Sequence, residues 1–221
     1  MYRCHSGINE IARKYNCDIT LINRVLKENQ IEKVTWKKVN KNIIEDFFET
    51  IDTEEKAYLL GLLTTDGYVK NLKSRNSFTI GISLQVDDRA TLEWIKKILC
   101  LDCKIQEDKR VNRECFTIEW ASAKMAQDLT QYGIIPNKTY SLIHLSNKIP
   151  EKLFHHYLRG LYDGDGICSI VNSKDASIGF CAYYESFVQD FQLAIDKAID
   201  KNFHNKIEKG NAYSCHWRGR I

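Results

Sequence analysis

A nine-residue pattern occurs twice in this chain. Leu59-Leu60-Gly61-Leu62-Leu63-Thr64-Thr65-Asp66-Gly67 is echoed by Leu158-Arg159-Gly160-Leu161-Tyr162-Asp163-Gly164-Asp165-Gly166, and the two aligned aspartates stand 99 positions apart. Each copy reads as an apolar helix with a glycine at its middle and an Asp-Gly at its end. Gly67 and Gly166 are expected to take the left-handed conformation that closes a helix. The unpaired carbonyls of a helix C-terminus carry partial negative charge, so a carboxylate there is disfavoured unless a cation offsets it. A glycine in mid-helix costs about 1 kcal/mol relative to alanine. It is worth keeping where two helix backbones must approach closely. Two such helices packed together bring Asp66 and Asp165 to one spot. With the helix-end carbonyls of Thr65 and Gly164 they make an oxygen donor set for Mg²⁺ or Mn²⁺, and a metal site of that kind suits phosphodiester hydrolysis. A single Asp-Gly is only a turn dipeptide; it is the repetition of the whole frame that carries the inference.

The segments downstream of the two copies also match each other. Phe78, Ile80, Ile82, Leu84 and Val86 alternate with Thr79, Gly81, Ser83 and Gln85, the pattern of a half-buried strand. Cys115 to Trp120 alternates likewise, with Phe116, Ile118 and Trp120 inward and Thr117 and Glu119 outward. Residues 89–99 form a helix with Leu92, Ile95, Ile98 and Leu99 on one face, and residues 122–132 form another, ended by Gly133. Residues 68–70 and 104–106 supply the remaining strands. In the second half, Ser177 to Cys181, Phe187 to Ile199 and Tyr213 to Trp217 repeat this order. The expected fold class is α+β, two pseudo-symmetric halves each running helix, two strands, helix, two strands. After Trp120 the first half continues into a helix and Pro136-Asn137-Lys138-Thr139, whereas after Trp217 only Arg-Gly-Arg-Ile remains. The second half is therefore expected to lack its last helices, leaving Ile178, Phe180 and Trp217 on the underside of its sheet partly uncovered.

Residues 1–45 hold nine Lys/Arg against five Asp/Glu, while the whole chain carries a formal charge of +3. A basic N-terminal segment suits nucleic acid. Ile8, Ile11, Ala12 and Tyr15, a break at residues 16–18, then Leu21, Ile22, Val25 and Leu26 resemble a helix-turn-helix, with Asp18 as the N-cap of the second helix. Its candidate recognition residues are Thr20, Asn23, Arg24 and Lys27, away from Leu21, Val25 and Leu26. No apolar run reaches the length of a membrane span and the N-terminus does not read as a signal peptide, so an intracellular protein is expected. Cys100-x-x-Cys103 has no second pair at zinc spacing, so the eight cysteines read as buried thiols rather than ligands. The expected division is a basic helical segment with linker over 1–50, a first half over 51–148 and a second over 149–221.

The double motif resembles that of the LAGLIDADG homing endonucleases of the single-chain, two-motif type. That resemblance implies two αββαββα halves joined at the motif helices, the last acidic residue of each motif holding Mg²⁺ or Mn²⁺, and double-stranded DNA bent over the sheets. It implies site-specific cleavage by a monomer, with a partner chain completing the second half as an alternative, and the intron or intein mobility that goes with such enzymes. Mapped onto this sequence, Asp66 and Asp165 are the metal ligands, Lys138 is the basic residue facing the phosphate, and Asp88 is the polar residue near the attacking water. Thr79, Ser83, Gln85, Thr117 and Glu119 become base readers, joined by Ser177, Ser214, His216 and Arg218. Lys70, Lys73 and Arg75 become phosphate contacts. Two other readings share these features: a non-cleaving regulator pairing a LAGLIDADG-like domain with a helix-turn-helix, and an RNA maturase. Retention of both carboxylates favours the nuclease over the regulator.

Overall fold

The computed structural model describes residues 12, 14–29, 43–72, 77–108, 114–171, 175–200 and 205–220. The chain forms two compact units, Met1–Lys41 and Asn42–Ile221. Residues 43–50 fall within the second unit, where Phe47 and Phe48, with Ile51, are buried in the core.

In the first unit, α1 spans Ile19–Glu28, and the Asp18 side chain accepts a hydrogen bond from the Thr20 backbone N–H at 2.5 Å. Its buried residues are Ile22 and Leu26, whereas Leu21 and Val25 are exposed. The apolar face expected from Leu21, Val25 and Leu26 is thus rotated by one position, since the i, i+4 pair at 22 and 26 is the stripe that packs. Thr20, Arg24 and Lys27 are exposed, but Asn23 is half-buried and its Oδ1 has no hydrogen-bond partner. Ile8 and Ile11, in the expected partner helix, lie outside the described residues.

In the second unit, α2 (Glu54–Thr65) is capped by Thr53, whose hydroxyl accepts the Lys56 N–H at 3.3 Å, and carries Glu54 and Glu55 in its first turn. From Leu59 to Thr64 every residue is buried. A helix buried on all sides belongs at the centre of a core. There it crosses α5 (Glu151–Asp165). A Cβ on Gly61 would overlap the Tyr157 carbonyl oxygen, and one on Gly160 would overlap that of Tyr58. The contact is reciprocal, backbone against backbone, and marks the pseudo-twofold axis. Gly61→Ala is expected to destabilise the protein by at least the ~1–3 kcal/mol typical of overpacking, because backbone is what must move. Urea denaturation checks this, and an unchanged midpoint would mean that the helices separate freely.

Each motif helix runs directly into a sheet. The first is made of β1 (Gly67–Leu72), β2 (Ser77–Gln85), β3 (Gln106–Asp108) and β4 (Cys115–Ala121), ordered β1-β2-β4-β3. The second is made of β5 (Gly166–Val171), β6 (Asp175–Ala182), β7 (Glu208–Lys209) and β8 (Tyr213–Arg220), ordered β5-β6-β8-β7. All pairings are antiparallel, with Ile80 opposite Trp120 and Ile178 opposite Trp217. Helix α3 (Arg89–Ile98) and its counterpart α6 (Glu185–Ala198) bridge the two hairpins of each half, and α4 (Ala123–Thr130) follows β4. This is the expected α+β pair of pseudo-symmetric halves.

The motif-ending glycines are not left-handed caps. Among the described glycines only Gly133 has positive φ, and Gly166 has φ −75° and ψ 150°. What Gly67 and Gly166 provide is room, since side chains there would run into the Leu63 and Tyr162 backbones as helix turns sharply into strand.

The underside of the second sheet is only partly open. Phe180 and Trp217 are buried, with Phe191 of α6 stacked on Phe180 at 4.0 Å between ring centroids, whereas Ile178 is 46% exposed. The cysteines also depart from expectation: of the seven described, all free, only Cys215 is buried.

Candidate metal centre and nucleic-acid interface

The crossing of α2 and α5 places their two C-terminal ends side by side. A Cβ added at Gly164 would lie 2.6 Å from Asp66 Oδ2 and would strike the Thr65 side chain. Asp66 therefore sits against the residue that precedes Asp165, and a side chain at that position would require Thr65 and Asp66 to shift. Burial, followed by repulsion from Asp165, pushes the Asp66 carboxyl up to about 6. Burial also raises Asp165.

Lys138 sits among them. It follows Asn137, whose φ of 61° turns the chain through the left-handed region, and it is 8% exposed. Its ammonium donates to the carbonyl oxygens of Thr64 and Thr65, both at 2.7 Å. The cation that the helix end calls for is thus partly supplied by the protein itself. One ammonium faces two carboxylates, and burial holds Lys138 down at about 8 despite both. At the end of α5 the Asp165 carbonyl instead accepts from the Cys181 thiol at 3.5 Å.

These shifts have a sign. A carboxyl whose folded pKa is raised binds protons more tightly when folded, so its contribution is lost as pH rises from about 4 to about 6 and stays lost above. Asp66→Asn removes a penalty of at most roughly 3 kcal/mol. The variant is expected to melt above the wild type at pH 7 and level with it near pH 4 in chelator. Equal melting temperatures at both would show that Asp66 carries no such penalty.

Asp88 precedes α3 yet makes no capping hydrogen bond, and its charge reaches Asp66. Asp163, the other acidic residue of the second motif, is diverted: it accepts from Tyr58 Oη at 2.8 Å, while Arg159 covers the Tyr58 ring.

The outer faces of the sheets flank this centre. Lys70, Thr79, Ser83, Gln85, Thr117 and Glu119 share one face of the first sheet by strand register. Glu119 accepts from Lys70 Nζ at 2.6 Å and Tyr68 Oη at 2.7 Å, which hold its carboxyl below its usual range. Ser83 and Thr117 share a hydrogen bond of 2.7 Å. Tyr68 reaches Glu119 by crossing the central strand at Gly81, where a Cβ would strike its ring. In the second sheet His216 crosses Gly179 in the same way. Sequence reasoning took neither glycine as functional, and the signal was there, since both stand mid-strand where a side chain is otherwise the rule. Ser214 and His216 are half-buried on that second face, while Ser177, on the central strand β6, is only 5% exposed. Lys73 and Arg75 lie outside the described residues, and so does the side chain of Arg218. Among the described residues no three His, Cys, Asp or Glu side chains cluster as a metal site. The two aspartates and neighbouring carbonyls are an all-oxygen set, which fits a hard divalent cation rather than zinc.

Comparison with solved structures finds the homing endonuclease I-WcaI bound to its DNA recognition sequence, with a TM-score of 0.54 and 16% identity over 78% of this chain and 80% of that one. The fold is that of the LAGLIDADG homing endonucleases. The LAGLIDADG meganuclease I-AabMI bound to uncleaved DNA also matches, at a TM-score of 0.45 and 15% identity over 74% of this chain and 78% of that one. No protein-family model and no curated protein matches. Within the LAGLIDADG fold the two motif helices are α2 and α5. No helix among the described residues is long and apolar enough to cross a membrane.

Proposed function

We propose that this protein is a site-specific endonuclease that hydrolyses phosphodiester bonds of duplex DNA with a divalent metal at Asp66 and Asp165. The observation that carries this reading is the convergence of one carboxylate from each half beside the buried ammonium of Lys138. Asp66 and Asp165, with the carbonyls of Gly164 and Thr65, would hold Mg²⁺ or Mn²⁺. Such an ion, when bound, activates water and stabilises charge on the phosphate. The Thr65 carbonyl already accepts from Lys138, so its share in that set is its second lone pair. Lys138 offers positive charge to the phosphate of the strand cut by the first half. Asp88 orients the attacking water. Thr79, Ser83, Gln85 and Thr117, with the Glu119–Lys70 pair, read bases on one side, and Ser214, His216 and Arg218 on the other; Lys70, Lys73 and Arg75 hold phosphates. One chain supplies both carboxylates, so a monomer suffices, acting inside the cell on an intron or intein target locus.

The test is incubation with duplex DNA from the gene's own flanking locus in Mg²⁺ and in Mn²⁺. Cleavage at one site is expected. Specific binding without cleavage in either ion would favour the non-cleaving regulator, and preference for a structured RNA the maturase.

The basic first unit, with Thr20, Asn23, Arg24 and Lys27 on α1, adds DNA contacts as a helix-turn-helix. Removing residues 1–41 is expected to weaken binding and reduce the dependence of affinity on salt by several phosphate contacts, without altering the cleavage position. An unchanged salt slope would assign this unit another role.

A further inference from the structure

Lys138 lies at a boundary in packing. On its N-terminal side Tyr132 and Ile134 are buried. On its C-terminal side no residue from Thr139 to Lys148 is buried, and after the short 3₁₀ turn at Lys138–Tyr140 the chain forms neither helix nor strand until α5. The chain therefore leaves Lys138 through a largely exposed, irregular segment. An ammonium that is strongly hydrated in water has to be held at 8% exposure from there.

What holds that segment is the start of α6, in the other half. Tyr184, the residue before the helix, donates its hydroxyl to the Tyr140 carbonyl at 2.8 Å. Ser186 donates to the Ile143 carbonyl at 2.6 Å. The Asp190 carboxylate accepts the Leu145 backbone N–H at 3.1 Å and lies 3.0 Å from His144 Nδ1. Ser186 and Asp190 are one turn apart and so share a face of the helix. Tyr183 adds an edge-to-face contact with the Tyr140 ring, 5.6 Å between centroids. The segment is tied back to Lys138 in turn: the Ser141 N–H and hydroxyl and the Leu142 N–H all donate to the Lys138 carbonyl. A continuous set of bonds thus runs from α6 through residues 140–145 to the lysine whose ammonium caps α2.

The counterpart helix of the first half is built differently. Aligning α3 and α6 at their starts sets Asp88 opposite Tyr184, Ala90 opposite Ser186 and Trp94 opposite Asp190. The same alignment brings buried Leu92 and Ile95 onto buried Val188 and Phe191. Ala90 has no side-chain hydrogen-bonding group, and Trp94 packs on the Tyr58 ring. The polar face of α6 is therefore not imposed by the repeated fold. It occurs in the half whose helix meets the chain leaving Lys138.

We propose that Ser186 and Asp190 are positioning residues for Lys138, so that α6 of the second half sets the ammonium at the end of the first half's motif helix. Neither touches the centre; both act through residues 140–145. A displacement of about 1 Å in such a group costs up to on the order of 10² in rate. The effect on cleavage rests on the endonuclease reading proposed above, whereas the effect on the placement of the lysine does not.

The full chain, without DNA or metal, is treated with a small amine-acetylating ester, and modification of each lysine is followed by mass spectrometry. With Ser186→Ala and Asp190→Ala together, Lys138 is expected to be modified several-fold faster than in the wild type, while Lys56 and Lys124, in ion pairs of the first half, keep their rates. Ser186→Thr with Asp190→Asn, which keeps a hydroxyl and an acceptor oxygen, is expected to restore protection. An unchanged rate at Lys138 overturns the proposal, and so does a rise shared by Lys56 and Lys124, which is unfolding. Cleavage is then followed on target duplex with each strand labelled, in single turnover at saturating enzyme. The alanine pair is expected to slow by about tenfold or more the strand that Lys138→Met slows, and to add nothing in the Lys138→Met background. Equal slowing of both strands, or further slowing in that background, overturns the proposal. If the wild type cuts neither strand, the labelling result alone decides the placement, and it is the endonuclease reading that fails.

Discussion

Replacing Asp66 or Asp165 by Asn is expected to reduce double-strand cleavage by on the order of 10³ or more, leaving DNA affinity in chelator nearly unchanged. Losing a metal ligand removes several kcal/mol of transition-state stabilisation, and each 1.4 kcal/mol is a factor of ten. The aspartates sit at helix ends, away from the sheet faces that would read bases, so affinity is held by other groups. The same Asp66→Asn variant is expected to be more stable than the wild type without metal, because an ionised carboxylate forced upward to about 6 no longer has to be accommodated. Loss of activity with gain of stability is the signature of a functional rather than a structural carboxylate. Cleavage by either variant at the wild-type rate would remove the carboxylate pair from the mechanism.

The two strands are expected to be cut unequally. Lys138 serves the end of α2, while among the described residues no lysine is bonded to the end of α5, where Cys181 stands instead. One electrophilic group of this kind is worth on the order of 10²–10³ in rate. Time courses on supercoiled target plasmid are therefore expected to show open-circular product before linear product. Lys138→Met should slow the faster strand by about that same factor, bringing the two rates together. Linear product appearing without an open-circular intermediate would mean that a residue other than Lys138 serves both phosphates.

The repeat was legible because it is written in residue identity. Gly61 and Gly160 announced a close helix crossing, and the structure shows backbone touching backbone there. The alternation in β2 and β4 was equally plain, since burial of one face imposes a period of two. What identity alone does not carry is the sign of a dihedral angle or the path of a long side chain. Gly67 and Gly166 looked like left-handed caps and are instead spaces at a helix-to-strand turn. Gly81 and Gly179 looked like strand positions and are spaces over which Tyr68 and His216 cross. Asp163 and Asp165 are chemically alike, and only the position of Tyr58, 105 residues away, separates a hydrogen-bonded interface carboxylate from a member of the centre. Lys138 was reached through family resemblance, and its burial between two helix-end carbonyls depends on a left-handed turn at Asn137 that composition does not reveal. Ser177 is 5% exposed where its first-half counterparts Thr79 and Ser83 are half-buried, a difference that the local alternation does not carry.

The most direct measurement is anomalous X-ray scattering from crystals of the protein–DNA complex grown with saturating Mn²⁺. An anomalous peak is expected at the crossing of α2 and α5, bonded to carboxylate oxygens of both Asp66 and Asp165. Scattering absent from that crossing, with duplex DNA in place over the sheets, would contradict a metal centre built from the two halves.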